Sequence, residues 1–334
     1  MNNVPVSSRS YEKVNYLLRP RKQIERKILI DMLKGVKAIH SYHYIGLGSI
    51  FYYDFILFHK YLNIKKMTSL DDKPTIKRFR FNRPYDFIGF VPKRTTDFLK
   101  EHNFRQKTII WFDYDSKLYD FDTDLKNDSM LEDIQILTSK AYPGTFFLVT
   151  IDIRPPTKPD EQKLFLRQFD LYLPSEYKQD VYRRENAKFI SDYRYMIQVV
   201  ILNFMEEEAK FCSTKFHKLF SFYYRDTAPM YTLGGVYHDQ KGFEAIKEQL
   251  IGNEFVNTIK SEITDIDVPI LTYKEKIQLD SELRSLRRKL KVAKNRRQDE
   301  RILQGLKFEI ESPDMLKKYL EYSRYYPQYY EGII

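Results

Sequence analysis

The sequence predicts an α/β fold with a mostly parallel sheet, and three observations predict it. Five short apolar runs follow one another, most of them separated by helical patterns, which argues parallel strands joined by right-handed crossovers. The stretch 42–72 reads strand, glycine turn, helix, strand, acid, the opening of a Rossmann-like nucleotide site. Two later runs rich in aromatic and β-branched residues, joined by a short Asp-Thr-Ala-Pro link, read as an antiparallel hairpin. The expected architecture is a Rossmann-like sheet of seven strands, the last antiparallel, followed by a helical C-terminal region.

Residues 1–18 are polar with little period and read as a flexible arm. A first domain is expected over 19–268. From Gln23 an amphipathic helix begins, with Ile24, Ile28, Met32, Val36 and Ile39 at helical spacing. Arg19, Arg21, Lys22, Arg26 and Lys27 crowd its first turns, against the helix dipole, so a bound anion is one way to offset them. Tyr44 and Ile45 end the first strand. Gly46-Leu47-Gly48-Ser49 is the tight turn, and Ile50 to Leu62 is apolar enough for a buried helix. Met67 to Leu70 is the second strand, with Asp71 at its carboxyl end. The two glycines allow a close backbone approach to a ligand, and Asp71 either accepts from ribose hydroxyls or caps a helix.

A basic stretch from Lys73 to Arg83 reads as partly helical, and Asp86 to Val91 as the third strand. Thr95-Thr96-Asp97 offers a helix cap. Thr108 to Phe112 is the plainest buried strand and runs into Asp113-Tyr114-Asp115. Leu125 to Lys140 reads as a helix and Thr145 to Ile153 as the fifth strand. Arg154-Pro155-Pro156 opens an insertion of about residues 154–184. Glu185 to Cys212 is a long helix with Phe189, Tyr193, Ile197, Ile201 and Met205 in register. The hairpin strands are Lys218 to Arg225 and Met230 to His238, with Gly234-Gly235 relieving crowding or shaping a bulge.

Residues 269–334 look separate. Leu271 to Arg301 reads as one strongly basic helix, with nine Lys or Arg against two acids from Arg284 to Arg301. Arg287, Arg288, Lys291, Arg296 and Arg297 are the candidates for nucleic-acid phosphates; a solvated basic face is the alternative. The end, Tyr325-Tyr326-Pro327-Gln328-Tyr329-Tyr330, is too apolar for a free tail.

The chain has 334 residues and a formal net charge of +10, which favours polyanionic partners such as nucleic acid; a protein partner is open as well. Aromatics reach 16 %, with 27 Tyr and 24 Phe, enough for a core and for a pocket wall around a flat ligand. A lone cysteine, Cys212, excludes an internal disulfide or cysteine-rich zinc site. His40, His43, His59, His102, His217 and His238 have no metal-ligand spacing, so no zinc site is expected. No phosphate-binding Gly-x-x-x-x-Gly-Lys loop and no Gly-x-Ser-x-Gly elbow occurs. No signal-like segment and no apolar run of roughly 18 residues stands out, so a soluble, cytoplasmic protein with no membrane partner is expected.

Five parallel strands, a long helix and an antiparallel pair resemble the class I S-adenosylmethionine-dependent methyltransferase fold over about residues 20–240. In that fold the last strand inserts antiparallel between its neighbours. The chain is also similar to a group of bacterial O-methyltransferase-like proteins through Y-I-G-x-G-S (Tyr44 to Ser49), W-x-D-Y-D (Trp111 to Asp115) and R-Y-Y-P (Arg324 to Pro327). The resemblance implies a methyltransferase that places Gly46, Gly48 and Ser49 under the methionine and ribose of S-adenosylmethionine. It implies Asp71 on the ribose hydroxyls and Asp113 beside the methyl acceptor. Some such proteins occur near mobile or phage-defence genes. That leaves two expectations: an enzyme acting on nucleic acid or a nucleic-acid-associated substrate, or a catalytically inactive subunit of an antiphage defence complex. The turn lacks a third glycine, and the fourth strand ends in Asp-Tyr-Asp rather than the Asn/Asp-Pro-Pro-Tyr of many base methyltransferases.

Methyl transfer needs alignment, exclusion of water and, for some acceptors, a base. Asp113 and Asp115 are the candidates, because alternation along an extended chain puts both on one side. Two close carboxylates can raise one pKa or hold Mg²⁺ or Ca²⁺. Alternatively, Asp115 caps a turn and Asp113 alone faces the pocket. Tyr114 or Trp111 can stack on a base, although core packing also suits Trp111.

Overall fold

A computed structural model describes residues 19–72, 76–114, 116–120, 125–126, 128–178 and 186–327. The expected arm, 1–18, lies outside them. The chain forms two compact units. Among the described residues, the first covers Ile30–Tyr223 and Ala228–Thr264, and the second covers 19–29, Tyr224–Thr227 and 265–327.

The elements begin with α1 (Pro20–Lys34), β1 (His43–Leu47), α2 (Tyr53–Leu62), β2 (Lys66–Leu70), α3 (Ile76–Asn82), β3 (Ile88–Val91), α4 (Thr95–Glu101) and β4 (Thr108–Asp113). A small ribbon, β5 (Tyr119–Asp120) with β6 (Leu125–Lys126), precedes α5 (Asp128–Lys140) and β7 (Thr145–Asp152). Then come α6 (Pro159–Gln168), α7 (Asn186–Glu208), β8 (Lys215–Arg225), β9 (Pro229–His238), α8 (Gln240–Gln249) and β10 (Thr264–Asp265). The chain ends in α9 (Tyr273–Val292), α10 (Arg296–Gln304) and α11 (Pro313–Tyr322).

The main sheet has the order β10-β8-β9-β7-β4-β1-β2-β3. Parallel pairing joins β3, β2, β1, β4 and β7, whereas β9 runs antiparallel to β7. The second hairpin strand thus inserts between β7 and the first, the strand order of the class I methyltransferase fold. The expected seven strands are all present; the two-residue β10 adds an eighth beside β8.

Strands β4 and β7 are uninterrupted apolar runs because both faces of a parallel sheet are covered. Alternation divides their side chains. Ile110, Phe112, Phe147 and Val149 join a core with Phe98, Met130, Phe165 and the expected α7 stripe from Phe189 to Met205. On the opposite side Trp111 stacks on Phe58 of α2 at 6.1 Å, and Tyr44 packs on Phe58 at 4.5 Å. Gly234 and Gly235 do relieve crowding: a Cβ would lie 2.0 Å from the Phe220 ring and 2.2 Å from the His217 carbonyl oxygen respectively.

Four local expectations are corrected. Gly46 and Leu47 belong to β1, paired with Ser69 and Leu70 of β2, so the turn begins at Gly48. Helix α2 starts at Tyr53 rather than Ile50, because Tyr52 takes a left-handed conformation (φ 47°) that ends the turn. The Leu125 to Lys140 segment opens as a short strand before its helix. Leu271 to Arg301 is two helices, broken at Ala293–Asn295, where the Asn295 side chain caps α10 by accepting from Gln298 N at 3.1 Å.

Within the second unit, the crowded cations at the start of α1 meet the protein's own acids. Asp226 accepts from the backbone N–H groups of Arg21 at 3.4 Å and Lys22 at 3.1 Å, satisfying two of the orphan donors of a helix start. Arg21 also pairs with Asp267 at 2.9 Å. Asp226 is therefore an anion at this helix end, supplied by the chain itself. Tyr326 is 2 % exposed and donates to the Pro269 carbonyl at 2.8 Å, so the described part of the tyrosine-rich end is docked as expected.

Candidate functional site

The sheet reverses direction of connection between β1 and β4, and ligands of open α/β sheets bind beyond the carboxyl ends of strands at such a point. Register brings the sequence candidates to that edge. Gly46 stands opposite Ser69 on one side and Trp111 on the other, and Leu47 stands opposite Leu70. Asp71 follows Leu70 directly. Asp113 closes β4 opposite Thr150 of β7. Leu47, Gly48, Ser49, Asp71 and Asp113 are all half-buried. Asp115 lies outside the described residues.

The turn is held tightly. Gly48 N donates to the Leu70 carbonyl at 2.7 Å and ties the turn to β2. Tyr52 N donates to the Ser49 carbonyl at 3.1 Å, and the Ser49 hydroxyl accepts from Phe51 N at 3.4 Å. Asp71 N donates to the Val91 carbonyl at 3.3 Å, which fixes the backbone under its carboxylate.

Both glycines are demanded by the chain's own packing. A Cβ on Gly46 would lie 2.5 Å from the Tyr44 hydroxyl, and one on Gly48 would lie 2.5 Å from Ser69 Oγ and 2.9 Å from the Phe79 ring. Ser69 is fully buried, and its hydroxyl has no hydrogen-bond partner among the described residues. Tyr52 donates to the Phe79 carbonyl at 3.1 Å, and burial pushes its hydroxyl up to about 12. The region around the turn is thus packed with aromatic rings.

The rings expected to stack on a base are otherwise engaged. Trp111 is 1 % exposed and donates from Nε1 to Thr150 Oγ1 at 3.0 Å. Tyr114 donates to Asp133 Oδ2 at 2.5 Å, and burial pushes its hydroxyl well above 10. Asp133, fully buried on α5, also accepts from Thr96 Oγ1 at 2.6 Å and from Thr95 Oγ1. These threonines do not cap α4; their hydroxyls face Asp133, and the N-cap position is Arg94. Burial raises the Asp133 carboxyl and the three hydroxyl donors oppose that rise. This cluster ties the residue after Asp113 to α4 and α5, and sequence reasoning missed it. The available signal was an acid inside the Met130, Ile134, Leu137 stripe.

At the end of β7, Asp152 is 4 % exposed and accepts from Arg154 Nε at 2.7 Å and Nη2 at 2.6 Å. Among the described residues no group of three or more His, Cys, Asp or Glu side chains could hold a metal ion, and no helix is long and apolar enough to cross a membrane.

The nucleic-acid candidates sit in the second unit. Arg287 donates to the Leu320 carbonyl at 2.8 Å and to the Ser323 hydroxyl at 3.1 Å, closing the end of α11. Arg296 pairs with Glu300 at 3.4 Å. Arg288, Lys291 and Arg297 are exposed.

Comparison with known proteins gives one match along the chain. The model of a family described as "Putative O-methyltransferase" matches residues 14–334. No curated protein matches. Among solved structures, the N-methyltransferase NodS from Bradyrhizobium japonicum in complex with S-adenosyl-L-homocysteine is 10% identical, with a TM-score of 0.37, over 66% of this chain and 89% of that chain. A probable spermidine synthase from Corynebacterium glutamicum is 10% identical, with a TM-score of 0.39, over 74% and 75%. Likenesses this distant carry no argument of their own; the strand order of the sheet and the family match do.

Proposed function

This chain belongs to the O-methyltransferase family whose model spans residues 14–334, and on that premise we propose that it is an S-adenosylmethionine-dependent methyltransferase acting on nucleic acid or a nucleic-acid-associated substrate. The observation that carries the reading is the arrival of the glycine turn, Asp71 and Asp113 at the carboxyl ends of three adjacent parallel strands. When bound, the cofactor supplies a methyl group activated on a sulfonium. Asp71 would accept hydrogen bonds from its ribose hydroxyls, and the end of β1 at Gly46 with the Gly48-Ser49 turn would lie under its amino-acid end.

Asp113 would act on the acceptor. In an O-methylation the carbon–sulfur bond breaks, the carbon–oxygen bond forms, and the acceptor hydroxyl proton leaves. A carboxylate at the edge of β4 can take that proton or hold the hydroxyl in line. The net charge of +10 supports a polyanionic acceptor.

One observation favours a second reading, a methyltransferase fold that has lost turnover: Ser69 and Phe79 stand directly against Gly48. Asp113→Asn separates the two. In the enzyme, labelled methyl transfer to RNA or DNA falls about 10²-fold or more while melting temperature and cofactor affinity hold. A parent protein that binds cofactor but methylates neither nucleic acid nor protein supports the second reading.

A further inference from the structure

Helix α9 has one face turned to its own unit and one turned to solvent. Lys276, Leu279 and Leu286 are buried and set the inner face. At 3.6 residues per turn, Tyr273, Lys274, Ile277, Arg284, Arg288 and Lys291 fall within roughly a third of the circumference, centred opposite those buried residues. All six are exposed, and no acid of the helix shares that arc. Glu275 is bound in the capping box with Thr272, Asp280 is held by Lys276 and Tyr319, and Glu282 lies off the arc. Among the described residues, Lys274, Arg284, Arg288 and Lys291 have no ion pair or side-chain hydrogen bond. Some cations off the arc are engaged: Arg287 at the end of α11, Arg296 with Glu300, and Lys317 with Asp299.

We infer that this outer arc of α9 is a docking surface for the phosphate backbone of a nucleic acid. Charge complementarity selects the partner: four unpaired cations, with no acid among them, span about 25 Å of helix, a length over which a nucleic-acid strand presents several phosphates. Tyr273, 60 % exposed, stands at one end, where a ring can stack on an unpaired base. An anionic membrane fits less well. An interfacial helix needs a wide apolar face for the acyl region, and that face of α9 already packs on its own unit. The surface reads no sequence, because phosphates are alike along the chain.

The inference rests on the nucleic-acid half of the proposed function and not on methyl transfer, since binding is read without turnover. The test uses the full chain and labelled 20-nucleotide RNA and DNA of mixed sequence, with affinity followed by anisotropy over a range of salt. The combined variant Arg284→Gln, Arg288→Gln, Lys291→Gln should weaken binding at least tenfold at low salt, equally for different sequences. The slope of log affinity against log salt should fall in magnitude by about 2–3. Arg296→Gln, on a paired cation, should change affinity less than twofold. The four substituted side chains are exposed, so melting temperatures should be unchanged. The inference is overturned if the parent binds no nucleic acid at low salt, if the combined variant keeps the parent slope, or if vesicles containing phosphatidylserine are bound more tightly than the oligonucleotides. Loss of methyl transfer with this binding intact would count against the enzyme reading alone.

Discussion

The Tyr114 hydroxyl donates to Asp133 Oδ2 at 2.5 Å, so the ring that follows Asp113 turns into the α4–α5 side of the sheet. Asp133 is a buried acid with three hydroxyl donors, and hydrogen bonds to charged groups contribute about 1.5–3 kcal/mol each. Tyr114→Phe should therefore cost about that much, seen as a lower urea midpoint with an unchanged slope. Asp133→Ala should cost more, because it strands three hydroxyls. A Tyr114→Phe protein as stable as its parent would show that the bond adds nothing.

Acid should weaken the first unit through His43. Burial, then the nearby charges of Lys66 and His102, lower this imidazole from 6.5 to about 4. It is 6 % exposed, and its Nε2 lies 2.8 Å from Thr68 Oγ1. The unfolded chain takes up a proton near pH 6.5 while the folded chain does not until about pH 4. Stability is then fully present above pH 6.5 and is lost as pH falls through 4, by about 3 kcal/mol at about 1.4 kcal/mol per pK step. Unfolding free energies measured between pH 7 and pH 4 should fall less steeply in His43→Gln. Parallel curves for parent and variant would remove His43 as the cause.

Gly48 should tolerate no side chain while Ser69 keeps its hydroxyl. The Cβ of Gly48→Ala would lie 2.5 Å from Ser69 Oγ and 2.9 Å from the Phe79 ring, an overpacking worth about 1–3 kcal/mol. Adding Ser69→Ala removes the nearer clash and should recover part of the loss. Equal melting temperatures for Gly48→Ala and the parent would mean that the turn moves freely away from β2.

Much of this architecture was legible because the signals are redundant. Strands β4 and β7 are buried on both faces and read as unbroken apolar runs, and the α7 stripe from Phe189 to Met205 kept its register within a 23-residue helix. The glycine turn and Asp71 were legible as a spacing, and the parallel register then brought them to one edge. What stayed hidden depends on long-range partners. Asp133 meets Thr96 and Tyr114 from 37 and 19 residues away. The left-handed Tyr52 has no local marker, since an aromatic residue rarely adopts that conformation unaided. Asp226 reaches the start of α1 across 204 positions. The break in the basic helix was readable in principle: Asn295 with Gln298 three residues on is a cap signal inside a charge-rich run.

Calorimetric titration of S-adenosylmethionine into the parent protein and into Asp71→Ala tests the central claim most directly. Loss of the ribose contact should weaken binding by about 1–3 kcal/mol, roughly 5- to 150-fold. No heat of binding to the parent at millimolar cofactor, or equal affinity for parent and variant, would contradict the placement of the cofactor between the glycine turn and Asp71.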